Sequence, residues 1–275
     1  MLRLGWASSR PHFAAITVCA MLALSTGQAC SRHAVPQPLQ SQTMKLSTST
    51  TSQSTPEIVT TTDWTVIGKS LRGKPIRMMK LGNGPRTVLF IGGIHGDEAE
   101  GAVATAALPD AFGAAGLART VTLYIIEDAN PDGREAATRD NANGVDINRN
   151  FPARNFEPGN PAGGGSPVNQ PETRAVVETI DRIDPHLVMV VHSWNNEQFV
   201  NFDGPAQAAA ERFSALSGLP VKASGEFAAT PGSLGSYAGR DRGIPVLTIE
   251  LLKGSDPQMD WRKIHDAVIG AISGD

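Results

Sequence analysis

Cysteine is almost missing from this chain of 275 residues: Cys19 and Cys30 are the two that occur, both near the N-terminus. No intrachain disulfide is available to the main body, whose stability must come from an ordinary apolar core. Tyrosine is equally scarce, with two, and aromatic residues together make up 5 %. Charged residues reach only 19 % and the formal net charge is −3, with no basic stripe and no interleaving of aromatic and basic residues. Those absences exclude nucleic acid as a partner. No apolar run approaches the roughly 18 residues that read as a membrane span.

The first 29 residues do not read as part of a fold. MLRLGWASSRPH carries two arginines and no acid, FAAITVCAMLALSTG supplies an apolar centre, and QAC follows. This is the order of a secretory signal, with its basic region, apolar region and small-residue boundary. Cleavage after Ala29 would make Cys30 the new N-terminus, as in bacterial lipoproteins, although Gly27 stands where such signals usually carry Leu, Val or Ile. The expectation is export to the cell envelope or periplasm. Lipidation of Cys30 and ordinary cleavage both fit, and a lipid anchor there would be the membrane contact. Residues 30–62 form a tether: from Ser41 to Thr62, 13 of 22 residues are Ser or Thr, with almost nothing apolar to bury. The folded domain is expected over 63–275, without internal repeats.

From Val66 onward, apolar runs alternate with helical patterns, which predicts an α/β sheet covered on both faces. Strands are expected at 87–91, 120–126, 186–191 and 245–249, and helices at 98–108, 171–183 and 260–272. Each strand runs into polar residues. TVLFI leads to GGIHGDEAEG (92–101), with His95 and Glu98 on a glycine-rich turn, and LYII leads to EDANPDG (127–133). LVMVV leads to His192-Ser193-Trp194, and VLTI leads to Glu250. Ligand sites of open α/β sheets form at the carboxyl ends of the strands, so these residues are expected to converge.

His95, Glu98 and His192 make a first-row metal set, and zinc suits it best. Three protein ligands leave a fourth position for water, which is the catalytic pattern. Glu250 is then the candidate carboxylate to take the proton of that water. His186 cannot join the site, since six residues of strand put it roughly 20 Å from His192. In NGVDINRNFP (143–152), Arg149 offers a planar fork suited to a carboxylate, with Asn148 and Asn150 beside it. Asp146 can accept the second ring N–H of a metal-bound histidine. Arg139, in TRDN, is a second cation able to face the same pocket.

HGDE, NPDG, VDINRNFP, HSW, PGSLGSY and TIEL, in this order, resemble the zinc carboxypeptidases of the funnelin type over about residues 64–272. The short form here most resembles the bacterial murein peptide amidases, which cleave the γ-D-glutamyl–diaminopimelate bond of peptides released from the cell wall. The resemblance implies an α/β domain with a mixed, mostly parallel central sheet flanked by helices. It implies one zinc ion per chain on His95, Glu98 and His192, and Glu250 as general base and then general acid. It also implies that Arg139 polarises the scissile carbonyl, Asn148 and Arg149 grip the free carboxylate of the leaving residue, and Asp146 supports His95. Phe227 falls at the family's flap tyrosine, where it can cover a ligand but not donate a hydrogen bond. Leu234 falls where the leaving side chain is read. An apolar residue does not match the zwitterionic end of diaminopimelate, and Arg240 or Asp241 is expected to supply that contact.

Two other functions fit parts of this pattern. An N-acyl amino acid deacylase of the aspartoacylase or succinylglutamate desuccinylase type shares a His-Glu-His zinc site and an Asn-Arg carboxylate grip. NPDG, NRNFP and HSW together favour the carboxypeptidase, and turnover of a peptide rather than an acylated amino acid separates the two. An envelope-tethered binding protein without chemistry would not need Glu250 and all three ligands together.

Overall fold

A computed structural model describes residues 63–224 and 230–274. The leader, the tether, Cys30 and Phe227 lie outside the described residues. Eight strands form one sheet: β1 (Thr65–Lys69), β2 (Pro75–Leu81), β3 (Arg86–Ile91), β4 (Val121–Ile126), β5 (Leu187–Trp194), β6 (Phe199–Asp203), β7 (Val221–Ala223) and β8 (Val246–Leu252). Their order is β1-β2-β4-β3-β5-β8-β6-β7. The four strands expected from the sequence are β3, β4, β5 and β8. They are contiguous and mutually parallel at the centre of the sheet. Their near-continuous apolar runs are what a parallel strand needs when helices cover both faces.

Antiparallel strands complete the sheet on either side, β2 beside β4 and β6 beside β8. These were not expected from the sequence. PIRMMKL of β2 alternates buried and exposed positions irregularly, and FVNFD of β6 carries two polar residues that break a strand pattern.

The described residues include five α-helices: α1 (Ala102–Ala114), α2 (Pro131–Ala136), α3 (Pro171–Ile183), α4 (Gln207–Ser217) and α5 (Pro257–Ser273). One face of the sheet is closed by Leu108 and Phe112 of α1, Phe213 of α4, and Ile264, Val268 and Ile272 of α5. The other face is closed by Val176 and Ile180 of α3 and by a π-helical segment, Gly235–Asp241, that contributes Tyr237 and Ala238. Helix α3 spans the predicted 171–183, with Pro171 in its first turn, where the missing N–H costs nothing. The predicted helix at 98–108 instead begins at Ala102. Glu98 is drawn out of any helix by bonds from its carboxylate to two histidines and to the Ser193 N–H. Helix α5 starts earlier than the predicted 260, because Asp256 caps it by accepting from the Gln258 N–H.

Candidate metal centre and active site

The turn after β3 is shaped by close backbone approach. A Cβ on Gly96 would stand 1.9 Å from the Gly133 carbonyl carbon and 2.3 Å from the Arg134 nitrogen. HGDE and NPDG are therefore two halves of one contact. Asn130 caps α2 by accepting from the Gly133 N–H at 3.0 Å, which holds that backbone where Gly96 rests on it. His95 and Glu98 are presented on either side of the contact.

His192 is the sixth residue of β5 and lies opposite Glu250 of β8 in the parallel register. His192 Nδ1 is 3.1 Å from His95 Nδ1 and 2.9 Å from Glu98 Oε2, and His95 Nδ1 is 2.8 Å from Glu98 Oε1. One ligand atom from each residue falls within a 4.8 Å set, and all three residues are buried. A tetrahedral zinc bound at roughly 2.0–2.1 Å would set neighbouring donors roughly 3.3 Å apart. Two imidazole nitrogens at 3.1 Å cannot both present lone pairs to each other, so a proton or a cation must lie between them. Two nitrogens and one carboxylate, with a side left toward a cavity, fit zinc in the three-ligand form.

The electrostatics are those of a cation site. Burial alone would lower the His95 pKa, but the hydrogen bonds and charges of Asp146 and Glu98 push it up to about 9. Glu98 is held well below the usual carboxylate range: burial opposes this, and the two histidines overrule it. His192 is lowered, chiefly by burial. Burial and the Glu98 charge raise Glu250 to about 8. The metal-free protein at about pH 7.5 thus holds a proton on both His95 and Glu250. A metal displaces the first directly and draws off the second by its charge. Zinc loading followed calorimetrically in buffers of different ionisation enthalpy should release between about one and two protons. Glu250→Gln should release about one, and the His95 contribution should fade as pH rises past about 9. No release from either protein would show His95 neutral before metal binds.

Asp146 orients the site from behind. Its Oδ1 accepts from His95 Nε2 at 3.0 Å and from the Asn148 N–H at 2.8 Å. Its Oδ2 takes the Arg139 Nε at 3.1 Å, with the Arg139 NH2 at 3.0 Å. Committing Nε2 to Asp146 leaves the Nδ1 lone pair of His95 for metal. Asp146→Asn is expected to weaken zinc ~10- to 100-fold, the usual effect of losing such a support. Competition against a chromophoric chelator would measure it, and unchanged affinity would mean that Asp146 serves Arg139 alone.

A cavity of about 280 Å³ opens on the metal cluster, lined by Arg139, Asn148, Arg149 and Glu250 among others. Arg139 spans the carboxylates of Asp146 and Glu98, the latter at 3.1 Å from NH1. Arg149 is half-buried and bonds through NH1 to the Asn148 carbonyl; among the described residues it has no carboxylate partner. Asn148 Oδ1 accepts the Leu234 N–H at 2.9 Å. Leu234 lines the cavity but is itself only 1 % exposed. Arg240 borders the cavity, whereas Asp241 turns away to accept from the Arg154 N–H. Among the lining residues not singled out from the sequence are Asn201 and Asp203 of β6 and Thr248 of β8. The signal was polar side chains at alternate positions of apolar strands. Glu100 was missed too. It accepts from Ser193 Oγ at 2.6 Å and the Gly254 N–H at 2.6 Å, tying the ends of β5 and β8 together.

The family model described as zinc carboxypeptidase matches residues 47–230. The match carries all three ligands and ends before Glu250, whose place is given by the fold. Murein peptide amidase A of Escherichia coli K12 is 31% identical over 205 residues, covering 66% of this chain and 78% of that protein. The crystal structure of the murein-tripeptide amidase of Escherichia coli O157 superposes with a TM-score of 0.62 at 27% identity, covering 76% of this chain and 91% of that one. Bovine thrombin-activatable fibrinolysis inhibitor, at 18% identity, shares the fold with a TM-score of 0.64 over 77% of this chain and 88% of its own. The His95-Glu98-His192 cluster is the zinc site of such an enzyme, and the chain belongs to the zinc carboxypeptidase family of metallopeptidases.

Proposed function

We propose that the protein hydrolyses an amide bond next to a free carboxylate in murein-derived peptides. The observation that carries this reading is Arg149, a half-buried guanidinium that borders the cavity beside the metal cluster without a carboxylate of its own. Burial lowers its pKa against the opposing charge of Asp146, and repulsion from Arg139 adds to the lowering, so an incoming substrate carboxylate relieves a standing cost. Relatives named murein peptide amidase supply the substrate class.

When bound, zinc supplies Lewis acidity and an acidified water. The chain's own groups do the rest. Arg149 and the Asn148 amide take the terminal carboxylate and fix the register of the peptide. Arg139, already held by Asp146 and Glu98, presents positive charge to the carbonyl oxygen as it becomes an oxyanion. Glu250 takes the proton of the attacking water and passes it to the departing nitrogen. A carboxyl raised to about 8 without metal, and lowered again by a divalent charge, sits close enough to neutral pH to do both. Residues 1–62, as leader and tether, would place this reaction in the cell envelope, with or without a lipid on Cys30.

The test is incubation of the zinc-loaded protein with L-Ala-γ-D-Glu-diaminopimelate and mass-spectrometric detection of released diaminopimelate. Release that stops with chelator and in Glu250→Gln is the expected result. No release, with acylated amino acids turned over instead, would transfer the protein to the deacylases. No turnover of either would leave a binding protein.

A further inference from the structure

The turn between β3 and α1 sends four side chains in two directions. His95 and Glu98 go to the metal cluster, whereas Asp97 and Glu100 reach the segment just past β8. Asp97 Oδ2 pairs with Lys253 Nζ at 2.5 Å, and Glu100 Oε1 accepts from the Gly254 N–H at 2.6 Å. The other Glu100 oxygen, Oε2, accepts from Ser193 Oγ at 2.6 Å. Glu100 and Ser193 are both buried. At the next residue, Gly101, a Cβ would stand 2.7 Å from Val191 Cγ1, so the backbone here rests directly on β5. Among the described residues, these two bonds and no basic side chain meet the Glu100 carboxylate. A buried carboxylate is costly unless its bonds are good ones, and both of these are short.

The use of this tie lies in the other bond that Ser193 makes. Its main-chain N–H donates to Glu98 Oε2 at 3.1 Å. The last torsion of a glutamate side chain is broad and roughly two-fold, so the plane of a metal-binding carboxylate must be fixed by donors other than the metal. Glu98 has two: Arg139 NH1 on Oε1 at 3.1 Å, and the Ser193 N–H on Oε2. The Arg139 side chain is 44 % exposed and, in the amidase reading, also serves the reacting carbonyl. The Ser193 N–H is the donor that substrate does not engage. It stands one residue from the end of β5, where the ladder with β8 runs out at Trp194 and Leu252.

We propose that Glu100 is a positioning residue of the metal centre. By joining the Ser193 hydroxyl to the Gly254 N–H, it closes the open end of the β5–β8 ladder and holds the Ser193 N–H on Glu98 Oε2. Both Glu98 oxygens then stay turned toward the two histidines, as they are at 2.8 Å from His95 Nδ1 and 2.9 Å from His192 Nδ1. Glu100 touches neither the metal nor a substrate and acts through Ser193. A plain strand staple, with no effect on the metal, makes a different prediction.

Two measurements on the full-length protein separate them. Competition against a chromophoric chelator gives zinc affinity, and the visible absorption of the cobalt(II)-substituted protein reports ligand geometry. Glu100→Ala and Ser193→Ala should each weaken zinc ~10- to 100-fold and change the cobalt spectrum in the same way. The double variant should fall no further than the weaker-binding single, because the two residues act through one bond. Glu100→Gln should bind zinc nearly as the wild type does, since its amide oxygen can take the Gly254 N–H while its NH2 donates to Ser193 Oγ. Ser193→Ala, which keeps the backbone donor to Glu98, decides the question if Glu100→Ala does not fold. A lower Tm of the metal-free variants, with zinc affinity and cobalt spectrum unchanged, would make Glu100 a strand staple and overturn the proposal. So would Glu100→Gln binding zinc as weakly as Glu100→Ala, because charge rather than the tie would then set the affinity. Neither readout involves a substrate, so a failure of peptide hydrolysis leaves this result untouched.

Discussion

Glu250→Gln should retain one zinc per chain and lose at least ~10²-fold in kcat, the usual scale for a group that moves protons in the transition state. The amide keeps the size of the side chain opposite His192 but can neither take a proton from water nor give one to nitrogen. Its effect on stability should have the opposite sign. Burial and the neighbouring Glu98 charge raise the Glu250 carboxyl to about 8 in the metal-free fold. Above the ordinary carboxylate pKa, the unfolded chain therefore ionises this group more readily than the folded one, which disfavours folding as pH rises through that window. A neutral amide removes the penalty, so the metal-free variant should melt at or above the wild-type temperature. Calorimetry with and without chelator, beside single-turnover kinetics, would check both halves. Full activity in a zinc-loaded variant would remove Glu250 from the proton path.

Gly96→Ala should be among the most damaging single-methyl changes in the domain. The added Cβ would meet backbone rather than a side chain that can swing aside: Gly133 C at 1.9 Å, Gly133 O at 2.2 Å and Arg134 N at 2.3 Å. Overpacking commonly costs 1–3 kcal/mol, and a collision with a peptide group that cannot swing aside belongs at about 3 kcal/mol or above. For a domain of this size, that is a fall in Tm of roughly 6–12 °C. Zinc affinity should fall with it, because His95 adjoins the displaced turn. Gly113→Ala is the control. Nothing lies within 4 Å of its Cβ, and it sits in helix α1, where Ala should add roughly 0.5–1 kcal/mol. The same substitution thus gives opposite signs at two glycines. Equal effects would mean that the turn relaxes freely.

The centre of the sheet was legible because β3, β4, β5 and β8 are buried on both faces and therefore read as continuous apolar runs. The metal ligands and Glu250 were legible because each follows such a run. The flanks were not, for the reason seen in β6. Asn201 and Asp203 face a cavity rather than the core, and a strand of five residues with two polar members has no pattern of its own. The start of α1 was misplaced because Glu98-Ala-Glu100 has good helix propensity, while the metal site claims the Glu98 carboxylate and the ends of β5 and β8 claim that of Glu100. NPDG could be noticed but not explained. Its glycine is required both by Asn130 and the Asp140 carbonyl, which a Cβ would meet at 2.4 and 2.7 Å, and by Gly96, 37 positions away in the chain.

The ligands are also distant in sequence. His95 and His192 are 97 residues apart, and His95 and Asp146 are 51 apart. Between the two histidines the chain must lay down β4 and then cross over through α3 before β5 can pair with β3. An unfolded chain keeps only His95 and Glu98 near each other, which is a poor chelate. The metal therefore binds the folded chain almost exclusively and acts as a late clasp on topology, adding ~4 kcal/mol when free zinc exceeds its dissociation constant a thousandfold. Loss of zinc would first free the closure between β3 and β5, so resistance to proteolysis should follow metal occupancy even where no substrate is present.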